Sequence, residues 1–597
     1  MAGTHLAFVL SPQQLAAQAA RSGPQGGDLA VTLHASIAHA LRSRNIAVAE
    51  AWDFLDSRDV GKNYDEFRRF CAHWWREAYA PVLHQGLPLA EIMHRDMWFP
   101  VSAACNAQRI FSRILERFRP AEASLCVEAA RAYFWDPPGG PPPDILNAVA
   151  LHLVETAGLS VLRLQAGEPA PQANPGPRPE PPELPAVRDG LLVFLSDTDF
   201  IRHREKLEAL FRRHAGRAVL LMAGAYPVAP QVAPVVPWYP LLAQFPADSA
   251  TAARLDAAHE AVLRSGPASG DDAALLGNPH LHFLFAAFRD RLKLGSRIAD
   301  AAGHVLDTLR PRLFVCGLDA YGPGAVFTRA AQARGVPTLA LQHGSISPDF
   351  HQFERLHSPA DQLVVDGEYG RRQFERLGRR PASITVIAPQ LPPPPPRPAP
   401  AREVVLLSAL GGYGLSAPIC DHGRLRRDWL ELLALMQRRR DLRFVLRPHP
   451  RYDHFGLYDA LSQEAPGLFT IRREGSLEEA LSSAAAAVLV SRPSAAALEA
   501  LRLGVPLVYL RSALYDIPEL GSALDDPRLP SARRVAELEP LLDDLLSNPV
   551  SRERVLADAA AFLRDFHSPR PSLDPAGDFL DLVQHLWREP AREKEHP

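Results

Sequence analysis

The sequence predicts an α/β protein: two Rossmann-like domains facing a cleft, with an additional N-terminal α/β block. Three observations carry that prediction. Residues 403–590 alternate short β-branched apolar runs with amphipathic helical patterns over short connections, the signature of βαβ units in a parallel sheet. Residues 188–390 repeat the alternation. Two proline-rich stretches, GEPAPQANPGPRPEPPELP (167–185) and PQLPPPPPRPAPAR (389–402), are too stiff and polar to pack, so they mark boundaries. The expected units are 1–166, a tether at 167–187, 188–390, a polyproline linker at 391–402, and 403–590.

In the last unit EVVLLSAL reads as a strand running into the glycine-rich GGYG, and DWLELLALMQRRR as the helix that returns to LRFVLRP. LFTIRR, AAVLV and VPLVYL are further strands, with SLEEALSSAA and SAAALEALRL as helices; the first of these opens on Ser476 with acids in its first turn. In the middle unit GLLVFLSDTD, RAVLLMAG, LFVCGLDA, VPTLALQHG, DQLVVDG and ASITVIAP are strands, with helices between them. Alanine-rich helices in both units end at Gly335-Val-Pro and Gly504-Val-Pro, where glycine suits a left-handed C-terminal cap and proline begins the next strand. The first unit offers LAFVL, NIAVAEAW, SLCVEAA and LSVLRL as strands, and RFRPAEASLCVEA echoes TLRPRLFVCGLDA. It reads as a related βαβ piece, a candidate expansion of the middle domain.

Composition bounds the function. A net charge of −3 without a basic block gives no electrostatic case for nucleic acid. The N-terminus lacks a charged n-region and no long uninterrupted apolar run occurs, so neither a signal peptide nor a transmembrane helix is expected. The cysteines (Cys71, Cys105, Cys126, Cys316 and Cys420) are scattered without a CxxC, which fits a reducing cytoplasm and no metal scaffold.

The chemistry gathers at strand ends. In FVLRPHP two prolines fix the backbone around His449, and Arg447 adds permanent charge, a pairing suited to an anionic ligand; an incidental turn is the alternative. In VLVSRPSAAALEAL, Ser491 and Ser494 stand at a helix start that suits a phosphate, and Glu499, in an apolar run, lacks an evident partner and suits a ribose diol. A simple cap at Ser494 and a solvent-facing Glu499 are the alternatives. Gly411 and Gly412 form a third strand-end turn in the same unit. In the middle unit His343-Gly344 ends one strand and Asp319 another; Asp197 and Asp199 end a third and equally suit helix caps.

Taken in order, VPT-strand-QHG, DQLVVDGEYG, RPHP and S-x-x-S…E resemble the GT-B glycosyltransferases of bacterial surface-polysaccharide synthesis. The motif style resembles capsule Kdo transferases, bacterial sialyl- and polysialyltransferases and CDP-glycerol glycerophosphotransferases. The resemblance spans about 310–515 well and leaves 1–166 uncovered. It implies that His449 contacts the donor phosphate and assists its departure, that Ser491 and Ser494 hold the same phosphate, that Glu499 holds the ribose, and that His343 stands at the reacting centre. It also implies a nucleotide-sugar donor, CMP- or CDP-linked, as co-substrate, with no resident cofactor and no metal. The acceptor would be a glycan, a lipid-linked sugar or a protein, and peripheral association with the cytoplasmic face of the inner membrane is compatible. The acidic D/E-D/E-G signature that supplies the base in several sialyltransferases is only partly echoed by VVDG (364–367). The rival readings are a CDP-alditol phosphotransferase, a nucleotide-sugar 2-epimerase and a non-catalytic glycan-binding scaffold.

Overall fold

The computed structural model describes residues 5–11, 14–16, 28–55, 70, 74–126, 143–164, 182–196, 203–223, 233–265, 278–317, 319, 322–342, 358–376, 378–388, 402–408, 422–449, 456–490, 493–512, 523–568 and 571–588. Among them, three sheets are parallel throughout and share one strand order. The first runs Ala47–Glu50, Asp28–Thr32, His5–Phe8, Glu122–Cys126, Ser160–Leu164. The second runs Val235–Pro237, Ala218–Ala223, Leu191–Ser196, Leu313–Cys316, Thr338–Leu341, Gln362–Val365, Ile384–Val386. The third runs Phe469–Ile471, Arg443–Pro448, Glu403–Ser408, Ala486–Val490, Leu507–Leu510, Ser531–Ala532. Each begins in its middle, winds outward one way, then reverses beside its first strand. That reversal opens a crevice at the strands' carboxyl ends, where open α/β sheets bind ligands. The fold class is α/β, two Rossmann-like domains with an additional N-terminal α/β block.

The N-terminal block is a third sheet of its own, which corrects the reading of it as an expansion of the middle sheet. The sequence echo is nonetheless real. Trp98–Phe118 ends at Arg119 (φ 44°) and His282–Leu309 at Arg310 (φ 46°), each followed by proline and the strand after the reversal. The first block shares one continuous core with the face of the middle sheet formed by Leu192, Phe194, Val219, Leu221 and Phe314. Trp74 sits in that seam, with ring centroids 5.1 Å from Phe285 and 5.0 Å from Phe288. A buried ion pair, Arg291 Nε to Asp96 Oδ2 at 2.7 Å, crosses the same seam. Strand Asp28–Thr32 was not foreseen.

Local signals formed as their chemistry requires. Ser476 and Glu479 make a reciprocal capping box. Gly335 (φ 72°) and Gly504 (φ 68°) adopt the left-handed cap, and the carbonyls of Pro337 and Pro506 accept bonds from Phe314 and Ala487 of the neighbouring strands.

The last helix departs from the expected boundary at 590. Pro549–His567 packs into the third domain through Ala559, Phe562, Leu563 and Phe566. Pro575–Arg588, expected in that domain, instead covers the middle sheet, burying Phe579, Val583 and Leu586 against Leu191, Val193 and Val315. The chain thus crosses between the domains twice. Both proline-rich stretches lie largely outside the described residues.

Candidate active site

In the third domain the register sets Pro448, Ser408, Val490 and Leu510 abreast at the carboxyl edge. His449 is the next residue: its N–H donates to the Ser408 carbonyl at 2.8 Å, extending the ladder past the strand. Ser408 is itself fixed by the buried Tyr458 hydroxyl, which donates to its Oγ at 2.6 Å. His449, half-buried, is therefore held at the crevice by a pinned backbone on one side and proline on the other.

Ser494 caps Ala495–Arg502: its hydroxyl oxygen accepts from the Ala496 N–H at 3.1 Å, which leaves its own proton available to donate. Two further candidates of this domain have protein partners. The Arg447 guanidinium donates to the carbonyls of Arg472 (2.9 Å), Glu474 (2.8 Å) and Gly475 (2.6 Å), tying down the turn after Phe469–Ile471. Glu499 is paired with Arg502 one turn along, at 2.9 and 2.5 Å. Ser491, Gly411 and Gly412 lie outside the described residues.

A buried carboxyl also stands near this edge. Asp428 is 5 % exposed and accepts from the Ser512 hydroxyl just beyond Leu507–Leu510. Burial pushes its pKa up to about 6 from 3.8. Because the folded-state value is raised, the protonated form favours folding: that contribution is complete below pH 3.8 and lost as pH rises through 6. Above pH 6 the ionised group costs on the order of 3 kcal/mol. Asp428→Asn is therefore expected to raise the unfolding midpoint at pH 8 and to leave it nearly unchanged at pH 4. Melting curves at the two pH values check this, and an equal shift at both contradicts it.

The middle sheet contributes a polar cluster that sequence reasoning largely missed. Strand Thr338–Leu341 continues to Gln342, whose N–H donates to Val364 O at 2.9 Å; strand Gln362–Val365 continues to Asp366, whose N–H donates to Gln342 Oε1 at 3.1 Å. The Asp366 carboxylate lies 3.1 Å from Lys206 Nζ and 3.9 Å from His203 Nδ1. Lys206 also reaches the Ile387 carbonyl at 3.3 Å. His203 Nε2 is 3.0 Å from the Gln342 carbonyl, which can only accept, so Nε2 carries the proton and Nδ1 is the ring's exchangeable position toward Asp366. His203 and Lys206 are buried, while the Asp366 side chain remains 25 % exposed. A partly open carboxylate backed by a buried cation and an imidazole is equipped to take or give a proton.

The DGEYG sequence is explained by the domain crossing. A Cβ on Gly367 would lie 2.7 Å from the Phe566 carbonyl oxygen, so only glycine lets Pro549–His567 pass. Tyr369 stacks on Phe566 at 5.2 Å, and His567 Nδ1 lies 3.4 Å from the Asp366 carbonyl. A Cβ on Gly370 would lie 2.8 Å from Gln342 Oε1. Asp361, at the head of the motif, accepts from the N–H (3.0 Å) and hydroxyl (2.8 Å) of Thr338 and so sets the neighbouring strand's register.

Asp319 proves to be a structural anchor. It is 5 % exposed, and its Oδ2 accepts from the Ser358 hydroxyl and from the Ala360 N–H at 3.0 Å. Arg379 grips the carbonyls of Ser358 (2.6 Å) and Ala360 (2.8 Å) of the same segment. Burial pushes the Asp319 carboxyl up from its ordinary value. Asp319, a catalytic candidate beside His343 in the sequence, is thus buried and engaged by its own fold. His343, Asp197 and Asp199 lie outside the described residues. Among the described residues no helix is long and apolar enough to cross a membrane, and no group of three or more His, Cys, Asp or Glu side chains is placed to hold a metal ion.

No protein-family model matches the chain, and no curated protein matches it. Solved structures similar to it include the Methanocaldococcus jannaschii UDP-GlcNAc 2-epimerase in complex with UDP-GlcNAc and UDP, at 12 % identity over 66 % of this chain and 99 % of that one, TM-score 0.40. A putative UDP-N-acetylglucosamine 2-epimerase from Listeria monocytogenes is 11 % identical over 69 % of this chain and 100 % of that one, TM-score 0.41. The glycotransferase of kitacinnamycin is 16 % identical over 67 % of this chain and 100 % of that one, TM-score 0.39. At these scores the likenesses carry no argument about function.

Proposed function

We propose that this chain is a glycosyltransferase that moves a sugar from a nucleotide donor to a glycan or related acceptor, the donor being a CMP-activated acidic sugar of the Kdo or nonulosonate kind. The observation that carries this reading is the division of labour between two carboxyl edges. The third sheet offers a histidine pinned at its carboxyl edge and a capped helix start, and the middle sheet offers a carboxylate with proton-handling neighbours.

In the proposed reaction the acceptor hydroxyl oxygen bonds to the anomeric carbon as its proton passes to Asp366. The bond from that carbon to the phosphate oxygen breaks, and its electron pair leaves with the nucleotide. His449 and the Ser494 hydroxyl donate to the phosphate as its charge grows, a preorganised stabilisation that water would have to reorganise to match. His343, next in the chain to Gln342, is assigned the role of orienting the sugar or the acceptor. The assay that tests this reading incubates the enzyme with CMP-, CDP-, UDP- and GDP-linked donors and follows free nucleotide and sugar configuration. Acceptor-dependent CMP release is expected. Epimer formed without transfer assigns a 2-epimerase, alditol phosphate transfer assigns a phosphotransferase, and no turnover of any donor assigns a scaffold.

A further inference from the structure

A cleft of about 630 Å³ opens on the opposite, amino-terminal edge of the middle sheet, away from Gln342 and Asp366. Arg310, Arg312, Arg334 and Arg588 line it, with Asp307 as the one acid and Trp587 at its flank. The Asp307 carboxylate is wholly engaged by Arg334, at 2.8 and 3.1 Å. Arg310, Arg312 and Arg588 have no carboxylate within ion-pair distance among the described residues, so the described lining sets four guanidiniums against one carboxylate. Three helices end here, and their carbonyl ends favour one cation each, which accounts for Arg310, Arg334 and Arg588. Arg312 belongs to no helix. The equivalent turn of the first sheet, Arg119-Pro120-Ala121, keeps the left-handed arginine and the proline but has alanine where Arg312 stands. The turn therefore does not require that second guanidinium.

We infer that this cleft is a second ligand site, for a small ring-bearing molecule that carries a phosphate or carboxylate, distinct from the interdomain crevice. Guanidinium forks match either oxyanion in two-point contact. Trp587, whose ring stacks on His214 at 4.9 Å and so is held in place, offers a flat apolar wall for a sugar or base. The volume suits a ligand of about nucleotide or disaccharide size.

Calorimetric titration of the full chain with inorganic pyrophosphate, CMP and a glucuronate-containing disaccharide at low salt tests the site in the Ser494→Ala background, which disables the proposed donor crevice. Saturable binding of at least one probe is expected, weakened about tenfold or more by Arg312→Gln with Arg588→Gln and by raised salt. Both residues are exposed, so the variant is expected to fold as the parent does. Pyrophosphate or CMP binding assigns a phosphate site, and disaccharide binding a carboxylate site. No saturable binding of any probe, or equal affinity in the double variant, overturns the inference. The donor assay can fail without affecting this result, and the reverse also holds.

Discussion

Replacing Asp366 with asparagine is expected to lower transfer turnover by roughly 10²–10⁴-fold while nucleotide affinity stays within about twofold. Asparagine keeps the shape and one acceptor but cannot take the acceptor's proton. The substitution also leaves Lys206, buried and 3.1 Å away, without its counter-charge, and breaking such a pair costs about 3–5 kcal/mol. Asp366→Asn combined with Lys206→Met removes that imbalance. The pair of variants therefore separates chemistry from stability: both should be inactive, and the double variant should recover the lost melting temperature. A single variant with normal turnover would return Asp366 to a domain-crossing structural role beside Gly367 and His567.

His449→Ala should cost roughly 10²–10³ in turnover, the effect of removing one preorganised donor from a developing charge. The fold should tolerate it, because the residue's anchoring bond to the Ser408 carbonyl comes from its backbone and survives the change. Single-turnover rates with saturating donor, alongside melting curves, measure both quantities. Unchanged turnover in a folded variant would make Arg-Pro-His-Pro a corner and nothing more.

How much was legible differs by level. Short continuous apolar runs and helical patterns revealed most strands of both Rossmann units, because a strand buried on both faces is apolar throughout. Which sheet a helix covers is not local information. Phe579, Val583 and Leu586 form an apolar stripe that suits any sheet, and it is the middle sheet that they cover. The carbonyl partners of Arg447 were not legible for a similar reason: a guanidinium reaches far, and the turn at 472–475 comes from another segment. Glu499 was readable, since Arg502 stands at the helical spacing that pairs charges. Lys206 was readable too, as a cation at four-residue spacing from buried Leu210 on an amphipathic helix. Asp366 was noticed only as part of a partial motif, because its partners His203 and Lys206 lie about 160 residues earlier.

If the third sheet binds the nucleotide and the middle sheet performs the chemistry, calorimetric titration of CMP into the parent chain, Ser494→Ala, Ser494→Gly and Asp366→Asn separates the two roles. Markedly weakened CMP binding is expected in Ser494→Ala and in Ser494→Gly, the second of which keeps most of the cap's stability, and near-parental binding is expected in Asp366→Asn. Loss of CMP binding in Asp366→Asn with normal binding in Ser494→Ala would contradict the assignment of the two sheets.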